Sequence, residues 1–303
     1  MKNHLAGIVP LANFKSDFNL PFPPCLLPVK NDWTLIQQAV LECAMAGCNT
    51  IWIVANDDLA PIVKKQVGEW IYDPVYLYRT KNARYFEHNR KQIPIYYVAI
   101  NPKDYDRRDS YGWSALYGIH TAWKVSYTIS KWLEPRKYYI SFPYGICDHN
   151  EIRDHRLAIR DPNINFIMKH KDKIVLDNIH TSFTMRADDF IFSRRNVNKK
   201  TTKTYYPKKE GEMYPTKLLP TKDRWSARHF DFNAVFEKLK LEDAVYYEPT
   251  WFHDVSSWDG YYDFMKSGNQ PNKLFFLLTQ KNQLDKMGLD WGEEEPSDED
   301  QSR

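Results

Sequence analysis

Residues 33–57, WTLIQQAVLECAMAGCNTIWIVAND, decide the fold. Leu35, Ile36, Ala39, Val40, Cys43 and Ala44 recur at the spacing of one helical face. Asn31 or Asp32 is placed to cap a helix that begins near Trp33, and Gly47 to end it. TIWIVA (50–55) follows as a β-branched strand, and Asp57 or Asp58 then caps a second helix that runs to about Trp70, with Pro61 in its first turns.

The same alternation extends outward. LAGIVPLA (5–12) reads as a buried strand and LLPV (26–29) as a short extended piece. VYLYR (75–79), IPIYYVAI (93–100) and KYYISF (137–142) read as strands, and SYGWSALYGIHTAWKVSYTIS (110–130) as a long helix. Strand, helix, strand, helix in this order predicts an α/β domain with a largely parallel sheet. Such sheets bind ligands beyond the carboxyl ends of their strands, here 12–24, 56–58, 101–113 and 143–150. In the second half, 165–192 reads as sheet-rich and 196–224 as a long basic loop with Pro207, Pro215 and Pro220. FNAVFEKLKL (232–241) reads as a helix, and WFHDVSSWDGYYDFMKS (251–267) as a strand, a turn and a Ser-capped helix.

Composition excludes several classes. A chain of 303 residues buries a full core without staples, and four cysteines with no CxxC are no disulfide scaffold, so a reducing, cytoplasmic interior is expected. No apolar run approaches the roughly 18–20 residues that span a bilayer, and the N-terminus lacks the features of a signal peptide. Nine histidines without HxH or HxxxH spacing give no zinc motif, and no GxSxG is present. The net charge of +3 hides a local contrast. Residues 194–228 hold eleven Lys/Arg against Glu210, Glu212 and Asp223, whereas 292–303 is an acidic tail with nothing apolar to bury, expected to be disordered. Tyr205, Tyr206, Tyr214 and Trp225 interleave with the basic charges. That pattern suits single-stranded nucleic acid, and equally a solvated loop.

The ordered series LAGIVPLAN (5–13), PPCLLPV (23–29), WTLIQQAVLECAMAGCNTIWIVAND (33–57), SYGWSALYGI (110–119), YYISFPYGICD (138–148) and WFHDVSSWDGYYDFM (251–265) resembles the sugar-phosphate nucleotidyltransferases. The resemblance implies a three-layer α/β/α Rossmann-like nucleotide-diphospho-sugar transferase fold with a mixed, mainly parallel central sheet. It implies one domain over 1–291, with 194–228 as a basic loop-rich insertion. The implied activity is transfer of a nucleotidyl group from a nucleoside triphosphate to a sugar phosphate with Mg²⁺. Leu11, Ala12, Asn13 and Gly112 would then face the nucleotide, Lys15, Arg107 and Arg108 its phosphates, and Asp148 and Asp254 the metal.

The departures are as specific as the matches. The family's first loop is rich in Gly, which lets backbone N–H groups approach phosphate; ANFKSDFN (12–19) has none. The family's Pro-Lys is Pro23-Pro24 here, and its Gly-Asp is Pro143-Tyr144, leaving Asp148 as the nearest carboxylate. Alternatives therefore stay open. Asp106, Arg107, Arg108 and Asp109 make either a surface ion cluster or a substrate contact. Asp254 is a metal ligand or a helix-proximal cap, Asp148-His149 a metal pair or a loop pair, and Gly112 a nucleobase contact or a helix-packing position. A nucleotide-sugar glycosyltransferase, or a non-catalytic descendant that binds nucleotide or nucleic acid, fits the same fold.

Overall fold

The computed structural model describes residues 4–16, 18–30, 33–75, 92–104, 108–201, 205–220 and 230–271. Its strands are β1 (Leu5–Pro10), β2 (Pro28–Lys30), β3 (Trp33–Thr34), β4 (Thr50–Val54), β5 (Trp70–Tyr72), β6 (Gln92–Val98), β7 (Lys137–Ile140), β8 (Gly145–Cys147), β9 (Phe166–Met168), β10 (Phe183–Arg186), β11 (Val245–Tyr247) and β12 (Phe252–Asp254). Its α-helices are α1 (Leu35–Ala46), α2 (Ala60–Val67), α3 (Tyr111–Ile129), α4 (His149–Asp154), α5 (Arg156–Arg160), α6 (Ala187–Thr201), α7 (Phe232–Phe236) and α8 (Trp258–Ser267).

β1 is buried along its whole length, as a run without a polar residue requires. It lies between β4 and β7, parallel to both. Around it the order is β11-β9-β10-β7-β1-β4-β6-β5. Four of the seven strand pairs are parallel, and β10 against β7 and β9, and β5 against β6, are antiparallel. Alternate residues of β1 feed two cores. Leu5 and Val9 pack with α1 on one face, and Ala6 and Ile8 with α3, α6 and α7 on the other. The result is the expected three-layer α/β/α architecture with a mixed, mainly parallel sheet. A separate two-stranded ribbon pairs β12 with β8.

Several local expectations shift. α1 begins at Leu35 rather than Trp33, because Thr34 is its N-cap and its amide donates to Gln37 Oε1 at 3.0 Å. Gly47 ends α1 at φ 91°, as predicted. The loop expected from 196 starts later, since α6 continues to Thr201. Phe190, Ser193, Val197 and Thr201 form its buried stripe, and the arginines and lysines between them are its outer face. Helix α6 also takes over from 187 the end of the segment read as sheet-rich. α7 stops at Phe236, short of Leu241. The strand expected at 75–79 lies outside the described residues beyond Val75, as does the tail 292–303. Among the described residues, no helix is long and apolar enough to cross a membrane.

One polar group is sealed into the first core. Glu42 on α1 is wholly buried and accepts from Ser182 Oγ at 2.5 Å and Tyr139 Oη at 2.7 Å. Burial pushes its carboxyl up to about 7, although the hydroxyl hydrogen bonds pull the other way. The fold therefore favours the neutral acid, while the unfolded chain ionises near 4.5. Stability should fall as pH rises from about 4.5 through about 7, by on the order of 3 kcal/mol in all. Glu42→Gln keeps an acceptor for Ser182 and Tyr139 and should flatten this slope, so that the variant melts above the parent at pH 8 and not at pH 5. Melting curves of both proteins across that range check it; an offset independent of pH counts against a neutral Glu42.

Candidate functional site

The carboxyl ends of β1, β4, β6 and β7 open on one edge of the sheet, and the sequence-predicted site residues divide among distinct neighbourhoods there. Between β1 and β7 the edge is packed with rings. Phe14 stacks on Tyr144 with centroids 3.7 Å apart, and Tyr111 meets Phe14 edge-on at 5.1 Å. His180 sits with its ring 5.4–5.9 Å from those of Phe14, Tyr111, Phe142, Tyr144 and Phe232. Tyr111 Oη donates to the Pro10 carbonyl at 3.0 Å, and burial pushes the Tyr111 and Tyr144 phenols well up. This mouth is apolar and filled by the chain itself.

Asp254 stands beside it. Its Oδ1 accepts from His180 Nδ1 and the Ser256 amide, both at 3.1 Å. Its Oδ2 accepts from His180 Nδ1 at 3.0 Å and the His180 amide at 3.1 Å. Burial alone raises the carboxyl, but the ring and amide of His180 and the Ser256 amide outweigh it and hold Asp254 below the usual carboxylate range. Two glycines permit this geometry. A Cβ on Gly145 would lie 2.0 Å from the His180 carbonyl oxygen, and one on Gly260 2.0 Å from that of Asp254. Ser257, not Asp254, caps α8, by accepting from the Gly260 amide.

Asp148 is not brought to Asp254. It caps α4 by accepting from the Asn150 amide at 2.9 Å. In the β8–β12 ribbon Asp254 pairs with Gly145, so Asp148 is three residues further along, roughly 10 Å away at strand spacing. Asp254 already accepts from three N–H groups, the His180 ring and amide and the Ser256 amide. Among the described residues no group of three or more His, Cys, Asp and Glu could hold a metal ion. Asp148 and Asp254 therefore do not form the paired carboxylate site expected for Mg²⁺.

The first loop is likewise occupied. The amides of Leu11 and Ala12 both donate to the Val54 carbonyl, at 2.8 and 2.9 Å, and the Ala12 carbonyl accepts from Ser114 Oγ at 2.7 Å. Neither amide is left to cradle a phosphate. Lys15 is exposed on the same loop. Gly112 serves helix packing, because a Cβ there would meet Val235 at 3.0–3.2 Å. Arg108 is spent within the fold, 2.8 Å from Asp104, 3.2 Å from Thr201 Oγ1 and with its guanidinium 5.2 Å from the centre of the Trp113 ring. Arg107 lies outside the described residues. In the basic segment, 194–201 belongs to α6, 205–220 is largely exposed with Lys217 over the Tyr206 ring at 5.3 Å, and 221–229 lies outside the described residues.

An open pocket of about 400 Å³ remains at the tips of β1 and β4, lined by Asn13, Asn56, Asp57 and Asp58. Asn13 holds a left-handed backbone at φ 62°. Its Nδ2 and the Asn56 Oδ1 are buried and have no hydrogen-bond partner among the described residues. The Asp58 carboxylate accepts from the Leu59 amide at 3.0 Å, but Leu59 is the N-cap of α2 and no side chain caps the helix, so neither Asp57 nor Asp58 does the capping expected of the pair. Sequence reasoning singled out Asn13 but missed Asn56, His180 and Phe14. Asn56 carried a signal, a polar residue following a parallel strand; His180 and Phe14 carried none.

No protein-family model and no curated protein matches the chain. Solved structures do. One, solved as a glucose-1-phosphate thymidylyltransferase from Bacillus anthracis in complex with a sucrose, shares 11% identity at a TM-score of 0.50, covering 89% of this chain and 98% of that one. A CTP:phosphocholine cytidylyltransferase from Streptococcus pneumoniae shares 11% identity at a TM-score of 0.49, covering 88% and 100%. A UDP-glucose pyrophosphorylase complexed with UDP-glucose shares 11% at 0.48, covering 88% and 98%. The first of these likenesses shows a shared fold over 89% of this chain.

The bonding of Asp254 gives a stability test. Asp254→Asn turns an N–H donor toward the three donors it now satisfies and should cost about 2–4 kcal/mol, lowering Tm by about 5 °C. Because the folded carboxyl is depressed, its contribution is present above about 3.8 and lost as pH falls through the folded value. The parent should therefore lose its advantage over the variant in acid. Equal melting temperatures at pH 7 would show that Asp254 holds nothing in place.

Proposed function

We propose that the chain is a nucleotide-binding protein of the nucleotidyltransferase class, with the nucleoside part of a nucleoside triphosphate or sugar nucleotide seated at the tips of β1 and β4. One observation carries this reading. The pocket there is lined by two asparagines with buried amide atoms that nothing in the described chain satisfies, a donor on Asn13 and an acceptor on Asn56. Buried polar atoms are normally paired. Every nucleobase presents a donor beside an acceptor on its pairing edge, which is what two such amides can read. A volume of about 400 Å³ suits a nucleoside, since ligand pockets run from about 300 to 1,000 Å³. Asp57 and Asp58 at the rim can accept from ribose or sugar hydroxyls, and their charges disfavour a triphosphate lying across them.

The reaction that goes with this class is transfer of a nucleotidyl group to a sugar phosphate, and a nucleotide-sugar glycosyltransferase would use the same nucleoside seat. Lys15 is the loop cation left for a phosphate. Asp148 and Asp254 do not converge as a pair of metal ligands, and Asp254 is bonded to His180 and Ser256. A second reading, a non-catalytic nucleotide binder, is favoured by the rings that fill the β1–β7 mouth, where an acceptor phosphate would otherwise enter.

A thermal-shift series of nucleosides, nucleoside triphosphates and sugar nucleotides tests the seat. A ligand present at a hundred times its Kd should stabilise the fold by about 2.7 kcal/mol. Asn13→Gly, which keeps the left-handed backbone, and Asn56→Ala should each weaken binding about tenfold, a loss of about 1.4 kcal/mol. No shift with any member of the series, or shifts untouched by both variants, would remove the reading. Pyrophosphate release from a triphosphate and a sugar phosphate identifies the nucleotidyltransferase, and nucleoside diphosphate release from a sugar nucleotide the glycosyltransferase. Binding without either leaves the non-catalytic reading.

A further inference from the structure

A second open space lies elsewhere, along the flank of α3 on the sheet face away from α1. It is an elongated cavity of about 780 Å³. Trp113, Tyr117, His120, Lys124 and Thr128 line it at successive helical turns of α3, and Arg194 and Asn198, one turn apart on α6, line its other side.

Among the described residues its walls carry more cations than carboxylates. Arg108, Lys124 and Arg194 face one carboxylate, Asp104, which Arg108 already holds at 2.8 Å. Arg194 is half-buried and has no ion pair among the described residues. Burial, and then the Arg108 charge, lower its pKa from the usual guanidinium value, so its charge is held there unfavourably. Burial, with Arg194 and Lys124 adding to it, holds His120 down to about 4, so the imidazole is neutral at pH 7 and adds no charge of its own. Hydrogen-bonding capacity is left over as well. Trp113 is 2% exposed, yet its indole Nε1 has no acceptor; His120 Nδ1 and Asn198 Oδ1 are also buried without partners. An excess of cations beside the unmet indole donor of Trp113, in a concave and partly apolar space, is what a small anion with an apolar body would satisfy.

We propose that this cavity binds a small phosphate monoester, its phosphate drawn by Arg194 and Lys124 and its apolar part lying against Trp113 and Tyr117. The site shares no residue with the β1–β4 pocket, so it stands or falls separately from the nucleoside seat. The size of the cavity matches one small molecule rather than a polymer.

Phenyl phosphate is the probe, titrated calorimetrically at fixed ionic strength beside phenol and a twelve-residue oligothymidylate. One phenyl phosphate should bind per chain, and phenol should not. Arg194→Gln should weaken binding about tenfold, and Lys124→Gln and Trp113→Phe severalfold. Lys124 is exposed, so its replacement leaves the fold intact even where the Arg194 or Trp113 variants do not express. Asn56→Ala should leave phenyl phosphate binding unchanged. The site is refuted by no binding of phenyl phosphate, by binding indifferent to Lys124→Gln and Arg194→Gln, or by an oligonucleotide that binds where phenyl phosphate does not, which would mark a nucleic-acid surface instead.

Discussion

The carboxylate of Asp254 is bonded from two directions, and the strand-tip edge takes its form from that. The Nδ1 and amide of His180 reach it from the segment before β10, and the Ser256 amide from the turn before α8. Segments 74 residues apart are thereby fastened at the end of the β8–β12 ribbon. The His180 ring is then aimed into the space between β1 and β7, where five aromatic rings surround it. A depressed carboxyl is the signature of this arrangement, because an ionised oxygen pair is what so many N–H groups require.

The same accounting of donors and acceptors separates structural from available groups around the rest of the edge. Residues 11 and 12 have amides where a phosphate-binding loop would present them, but Val54 receives both. Without glycine, the loop crosses directly to Phe14, whose ring stacks on Tyr144. Arg108, Asp148 and Gly112 are each consumed by an ion pair, a helix cap and a helix contact. What survives as available is elsewhere: two asparagines over β4, and unmet polar atoms beside cations in the cavity between α3 and α6. A fold can keep its layers while the chemistry at its edge changes, because the core and the loops draw on different residues.

Much of the fold was legible in the chain. The 3.6-residue stripe of α1, the Gly47 stop, the β-branched run of β4 and the unbroken apolar run of β1 are local signals, each set by the backbone conformation those residues favour. The order of these elements fixed an α/β sheet, and the ordered resemblance fixed which one. The stripe of α6 was masked, because its charged outer face dominated the reading of 196–201 and its buried positions were polar or sparse.

The sequence by itself determined the secondary elements of the first half, their alternation and the losses in the first loop, since propensity, periodicity and the absence of glycine act over a few residues. Only the tertiary structure decided which polar groups were spent. Whether Asp254 has a lone pair to give, whether Leu11 and Ala12 have amides to offer, and whether Gly112 meets a ligand or Val235 depend on partners 42 to 123 residues away. Hydrogen-bond satisfaction and close packing are properties of the assembled neighbourhood, and no local pattern encodes them.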